Sequence, residues 1–126
     1  MDNGVVMNRS LLKSIDWNLA LSLANNREDL AREMLIMLAK GLPEEKVQFN
    51  QLFNENDFNG LKNAVHRLHG ATCYCGAPKL KQAAYLLESA LTNSKKDYSQ
   101  VKSLLDNLNT EIDNLLDESK AIGLLN

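Results

Sequence analysis

Apolar residues recur along most of this chain in alternating steps of three and four, the spacing of helices that each bury one face. Ile15, Leu19 and Leu23 mark a short first run, which closes at Asn25-Asn26, a pair suited to ending one helix and starting the next. From Arg27 to about Asn54 a broad stripe follows, made of Leu30, Met34, Met37, Leu38, Leu42, Phe49, Leu52 and Phe53. Glu28 and Asp29 stand near its positive N-terminal end, and Gly41 and Pro43 are placed to bend it. Phe58, Leu61, Val65, Leu68 and Thr72 form a third stripe, with Asn56 or Asp57 available as its cap and the helix expected to run over 57 to about 74. Gly76-Ala77-Pro78 breaks that helix. Pro78 suits the first position of a fourth, which turns Leu80, Ala84, Leu87 and Leu91 inward. After residues 92–97, Asp97 with Gln100 three later resembles a capping box, and Val101, Leu104, Leu105, Leu108, Ile112, Leu115 and Leu116 mark a long fifth helix.

No segment alternates with a period of two, so the pattern predicts an all-α fold. Four long amphipathic helices on short connections make an up-and-down antiparallel four-helix bundle, with a short additional N-terminal helix packed across one end. Residues 1–9 hold no sustained period and read as a flexible N-terminal lead-in or linker remnant, leaving 10–126 as the bundle domain. A chain of 126 residues suits one such core and is short for two.

Composition narrows the function more than the fold. A formal net charge of −2 gives no broad cationic field, which argues against nucleic acid as the main partner. The longest strongly apolar run, Met34 to Ala39, falls far short of the ~18 residues of a membrane span, and the N-terminus lacks the apolar core of a signal peptide. A cytoplasmic location without direct membrane insertion follows as the expectation, with the isolated domain a monomer. Cys73 and Cys75, one residue apart, make a poor structural staple and are expected as reduced thiols.

Both cysteines and both histidines of the chain fall in one stretch, "HRLHGATCYCG", residues 66–76. Imidazole and thiolate are zinc ligands, but on a helix rising 1.5 Å per residue His66 and Cys73 stand roughly 10 Å apart, too far to share one ion. His69 and Cys73 are one turn apart, yet a closed site needs two more ligands and no His or Cys lies elsewhere. C-x-C also lacks the C-x-x-C spacing of thioredoxin-like redox pairs. No metal is therefore expected, and the thiols are read as small, buried and unreactive.

The histidines carry more. Val65 and Leu68 lie on the core stripe, so His66 is turned about 100° from Val65 toward solvent, on the face of Lys62, His69, Gly70 and Cys73. Gly70 sits one turn beyond His66 in a helix interior, where glycine costs about 0.5–1 kcal/mol relative to alanine. Because helical side chains lean toward the preceding turn, the missing Cβ leaves room above the imidazole. Lys62, Arg67, His69 and Lys79 are expected to surround that opening with positive charge, suited to an anionic group or an acidic partner. Taken singly, each feature is ordinary surface or ordinary helix packing. Together they describe an accessible imidazole nucleophile under local positive charge, which fits phosphoryl transfer through a phosphohistidine.

The stretch "AVHRLHGATCYCGAPKL" resembles the histidine-containing phosphotransfer (HPt) family, in which H-x-[hydrophobic]-K-G is followed by a second glycine ten residues after the histidine. His66, Leu68, Gly70 and Gly76 match that pattern. "IDWNLALSLANNREDLAREML" and "VHRLHGATCYCGAPKLKQAAYLLE" are similar to the HPt branch found at the C-terminus of BarA/GacS-type hybrid sensor histidine kinases. The chain departs from the wider pattern at His69, where lysine is usual, and at Glu88, where some members carry glutamine.

The resemblance implies a phosphorelay intermediate of two-component signalling. His66 would accept phosphate from a receiver-domain aspartyl phosphate of a hybrid sensor kinase and pass it to the aspartate of a response regulator. Lys62 and His69 would stabilise phosphate charge; Arg67, Gly70 and Lys79 would meet the receiver, and Glu88 would stand behind the site. No cofactor is expected in this chain, because the receiver supplies Mg²⁺ and the chain holds no P-loop or kinase glycine-rich loop. The chain would be cytoplasmic, free or as the cytoplasmic C-terminal part of a membrane-bound sensor kinase. The alternative is a non-catalytic helical adaptor in which His66 is plain surface.

Overall fold

A computed structural model describes residues 12–125. Helices α1 (Trp17–Leu23), α2 (Glu28–Asn54), α3 (Phe58–Thr72), α4 (Pro78–Thr92) and α5 (Tyr98–Ala121) follow one another, and no strand occurs among the described residues. The lead-in at 1–9 lies outside them. Local chemistry sets the helix starts. Asp16 accepts from the Leu19 amide at 3.0 Å, Asp57 from Gly60 at 2.9 Å and Asp97 from Gln100 at 3.2 Å, each satisfying an amide that the first turn leaves unpaired. Pro78 opens α4, where its missing N–H costs nothing. The α1–α2 and α2–α3 connections bend through left-handed backbone at Asn25, Asn26 and Asn56, with φ of 57°, 64° and 58°. Asparagine is among the few non-glycine residues that adopt this region readily.

The α2–α3, α3–α4, α4–α5 and α2–α5 pairs pack together and close the antiparallel bundle. Its centre is built from Leu35, Leu42 and Phe49 of α2, Leu61, Val65 and Leu68 of α3, Leu80, Leu87 and Leu91 of α4, and Leu105, Leu108, Ile112 and Leu115 of α5. Burying a leucine- or phenylalanine-sized side chain contributes about 1.5–3 kcal/mol, so this shared core outweighs the capping terms. Helix α1 lies across one end, tied by the Asp16 amide donating to the Gly76 carbonyl at 2.8 Å. A Cβ on Gly76 would stand 2.4 Å from the Asp16 carbonyl oxygen and 2.6 Å from the Ala20 Cβ, so this glycine is required by close packing.

Two expectations change. Met37 is 65% exposed, and the buried face of α2 passes instead through Ala31, Leu35 and Ala39. Met37 precedes Leu38 by one residue and is therefore turned about 100° off that face. Helix α3 ends at Thr72 rather than near 74, which leaves Cys73 exposed in the turn while Cys75 is buried. Gly41 and Pro43 do not interrupt α2, and Pro43 stands on its exposed side.

Candidate functional site

Helix α3 carries the site because its buried stripe fixes its rotation. Leu61, Val65, Leu68 and Thr72 point into the core, which turns His66 outward with 69% of its side chain exposed. On α4 the stripe of Leu80, Ala84, Leu87 and Leu91 likewise leaves Tyr85, Glu88, Ser89 and Thr92 on the side facing α3. These four, with His66 and His69, line an open cleft of about 360 Å³.

One carboxylate organises that cleft. Glu88 Oε2 lies 2.5 Å from His66 Nδ1, and Glu88 Oε1 lies 2.9 Å from His69 Nδ1. A carboxylate accepts and does not donate, so each Nδ1 carries the hydrogen and donates it. In the neutral ring this leaves the lone pair on Nε2. His66 therefore presents Nε2 outward from a ring held at its rear. Glu88 and His69 are only 21% and 23% exposed, so the pairing is sheltered while the reactive edge of His66 is open. The Tyr85 ring packs against the His69 ring with centroids 5.6 Å apart.

The surroundings of His66 are less cationic than the spacing predicts. Lys62, one turn earlier on the same face of α3, is half-buried. Arg67 points toward α2, where its guanidinium lowers the carboxyl pKa of Glu45 against the larger, raising effect of burial. Lys79 does not join the cleft. It precedes Glu88 by nine residues, about 180° around α4, and lines a separate cleft with Gln82, Asn107 and Glu111. The charge in contact with His66 is the Glu88 carboxylate. Glu88 comes from the resemblance alone, and Tyr85 is missed altogether; its signal is the 85, 88, 89, 92 spacing that forms the face of α4 beside the core stripe.

Gly70 is open. A Cβ there would meet nothing within 4 Å, which removes helix packing as the reason for a glycine one turn from His66. Among the described residues no group of three or more His, Cys, Asp or Glu is placed to hold a metal ion. Burial pushes the Cys75 thiol up to about 11, and its Sγ lies 3.5 Å from the Ala71 carbonyl oxygen, so this cysteine is a packed, protonated thiol. No helix among the described residues is long and apolar enough to cross a membrane.

The chain is similar over most of its length to known proteins. The Hpt domain family model matches residues 33–121. The signal transduction histidine-protein kinase BarA of Escherichia coli (strain K12) is 40% identical over 124 residues, which is 96% of this chain and 13% of that protein. Sensor histidine kinase GacS of Pseudomonas protegens is 37% identical over 109 residues, 86% of this chain and 12% of its own length. The chain thus spans about an eighth of the curated relatives it matches. Among solved structures, the HPT domain of a sensor hybrid histidine kinase from Shewanella superposes with a TM-score of 0.79 at 31% identity, covering 86% of this chain and 92% of that one.

Proposed function

The chain belongs to the Hpt domain family, and from that membership we propose that it is a phosphorelay intermediate with His66 as phosphoacceptor. Hpt domains are phosphotransfer modules rather than kinases, so the work of this chain is to hold one nucleophile ready for a partner. The observation that carries the assignment is the pairing of an exposed imidazole, through Nδ1, with a sheltered carboxylate at 2.5 Å.

The step follows from that arrangement. A receiver domain brings an aspartyl phosphate to the open side of His66. The Nε2 lone pair attacks phosphorus in line, the N–P bond forms, and the P–O bond breaks with its electron pair leaving on the aspartate carboxylate. The ring keeps its Nδ1 hydrogen and acquires positive charge, which the Glu88 carboxylate stabilises as it forms. Attack by the aspartate of a response regulator reverses the sequence and returns a neutral imidazole. Glu88 is thus a positioning residue: it sets the tautomer and stabilises charge without touching phosphorus. Any Mg²⁺ would be held by the receiver rather than by residues of this chain, and would neutralise phosphoryl charge there. Gly70 leaves space for the receiver's approach, and Arg67, exposed but close to Glu45 of α2, would meet the receiver only at the rim of that contact. Lys62 supplies fixed positive charge on the same face as His66, and His69 supplies it only when protonated. Lys79, on the far side of α4, is left out of this contact. In a purely adaptor role the His66–Glu88–His69 hydrogen bonds would serve only to join α3 to α4.

His66→Gln tests the assignment. It is expected to abolish phosphate uptake from a phosphorylated receiver while leaving the helical circular dichroism intact, because His66 contributes nothing to the core. The label on the wild type is expected to be acid-labile and alkali-stable. Undiminished labelling of the variant, or a label on His69, overturns it.

A further inference from the structure

Glu88 serves two imidazoles at once, and only one of them is needed as a nucleophile. His66 uses Oε2; His69, three residues on and one turn deeper, uses Oε1. Both rings are held through Nδ1, so the site of further protonation on each is Nε2. With both rings neutral, the cleft carries the single negative charge of Glu88. A phosphoryl group on His66 brings about 1.5 to 2 negative charges on its oxygens, by analogy with other phosphorylated side chains, and the positive charge of the phosphorylated ring, already paired with Glu88, offsets only about one of them. One proton on His69 Nε2 removes a unit of that repulsion.

We propose that His69 is a titrating counter-charge for the phosphoryl group on His66, coupled to it through the shared Glu88 carboxylate, so that phosphoryl occupancy of this chain is graded by pH near neutrality. This rests on the reading of His66 as the phosphoacceptor. Histidine is the side chain whose charge ordinarily changes between about pH 5 and 8, so a counter-charge made of imidazole varies where one made of lysine would not.

The groups around His69 leave that role to it. From α4 it is faced by Glu88, by the Tyr85 ring and, along an adjoining apolar groove, by Lys81. Helix α1 presents Leu19 and Leu23 to that groove. Its own helix supplies His66 and, two turns away on the same face, Lys62, while Cys73 and Cys75 follow it in the turn. Helix α2 meets α3 on another side, where Glu45 faces Arg67. Lysines keep their charge across neutral pH and set the level of phosphate stabilisation rather than its slope. Protonation of free His66 takes the same Nε2 lone pair and opposes phosphate uptake in acid, in rate and in equilibrium, so the contribution of His69 is read as the difference between the wild type and His69 variants that share this background.

Linkage makes the proposal measurable without a partner. If a proton on His69 favours phosphate on His66, phosphate on His66 must favour the proton on His69 by the same factor. The full chain is phosphorylated with phosphoramidate, phosphohistidine is followed by ³¹P NMR, and the His69 ring is titrated by ¹H–¹⁵N NMR before and after. The expected result is an upward move of the His69 midpoint of about one pH unit, a tenfold coupling between a charged pair partly screened by water. In the transfer equilibrium with a receiver, His69→Lys is expected to lose the corresponding tenfold pH step and stay at the acid-side level. His69→Gln is expected to lose the step at the alkaline-side level. An unmoved His69 midpoint in a chain that carries phosphohistidine overturns the counter-charge, as does an unchanged pH step in His69→Lys. Absence of any phosphohistidine signal, or its persistence in His66→Gln, overturns the phosphoacceptor reading itself.

Discussion

Gly70 separates packing from function within a single residue. In a helix interior alanine is more stable than glycine by about 0.5–1 kcal/mol, and at this position an added Cβ meets nothing within 4 Å. Gly70→Ala is therefore expected to raise the melting temperature slightly. The same methyl leans toward the turn that carries His66 and narrows the receiver's approach, so transfer is expected to fall, and to fall further in Gly70→Gln and Gly70→Leu. Thermal unfolding and transfer rate measured on the same three variants decide the matter; a joint loss of stability and transfer removes the open docking face. The exposure of His66 and the opening at Gly70 are legible in the sequence, because both follow from the angle each residue makes with the core stripe of α3. The pairing with Glu88 is not. It joins residues on two helices, 22 positions apart, and depends on the relative height and rotation of α3 and α4, which no single helix encodes. The same blindness places Lys79 at the site when half a turn of α4 carries it away.

At the scale of elements, the two glycines of the HPt-like pattern do opposite jobs. Gly76 ends the α3–α4 turn against α1, where a Cβ would lie 2.7 Å from the Ala20 amide nitrogen as well as against the Asp16 carbonyl. Backbone atoms cannot rotate aside as side chains do, so Gly76→Ala is expected to cost about 1–3 kcal/mol by overpacking. Amide exchange in α1 is expected to rise more than in α2 to α5, because α1 is held there by the Asp16–Gly76 hydrogen bond. Unchanged stability would mean that the end of the bundle yields readily. Helix existence and most boundaries are legible because caps and breakers announce them: Asp57, Pro78 and Asp97 stand where the chain turns into each helix. The rotation of α2 is less legible. A hydrophobicity pattern favours Met37 over Ala31 and Ala39, whereas close approach of two helices favours the small residues.

Across the whole molecule, the closed bundle places its chemistry on one seam and a polar lock on the opposite one. The His66–Glu88 cleft joins α3 to α4; α2 meets α5 on the far side. There Asn50 and Asn109 exchange side-chain hydrogen bonds, Asn109 Nδ2 donating to Asn50 Oδ1 at 3.0 Å and Asn50 Nδ2 donating back at 3.3 Å. Lys46 adds an ion pair to Asp113 at 2.8 Å one turn further along. The ion pair is partly exposed and worth at most about 1 kcal/mol. The half-buried amides fix more, since a donor and an acceptor must find each other at one relative height of the two helices; loss of Asn109 takes the partner of the Asn50 Oδ1 acceptor, while Asn50 Nδ2 keeps its 2.7 Å bond to the Lys46 carbonyl, at a cost of about 0.5–1.5 kcal/mol. Asn109→Ala is thus expected to lower the denaturation midpoint by an amount in that range. Because α3 and α4 keep their own core contacts, phosphate uptake at His66 in the folded variant is expected to stay within about twofold of the wild type, by the near-additivity of well-separated sites. Chemical denaturation and receiver transfer at a temperature well below the transition measure the two separately. A matched fall in both would mean that the height of α5 against α2 is felt across the bundle at the His66–Glu88 pair, and that the seam carrying the chemistry depends on the closing of the opposite one.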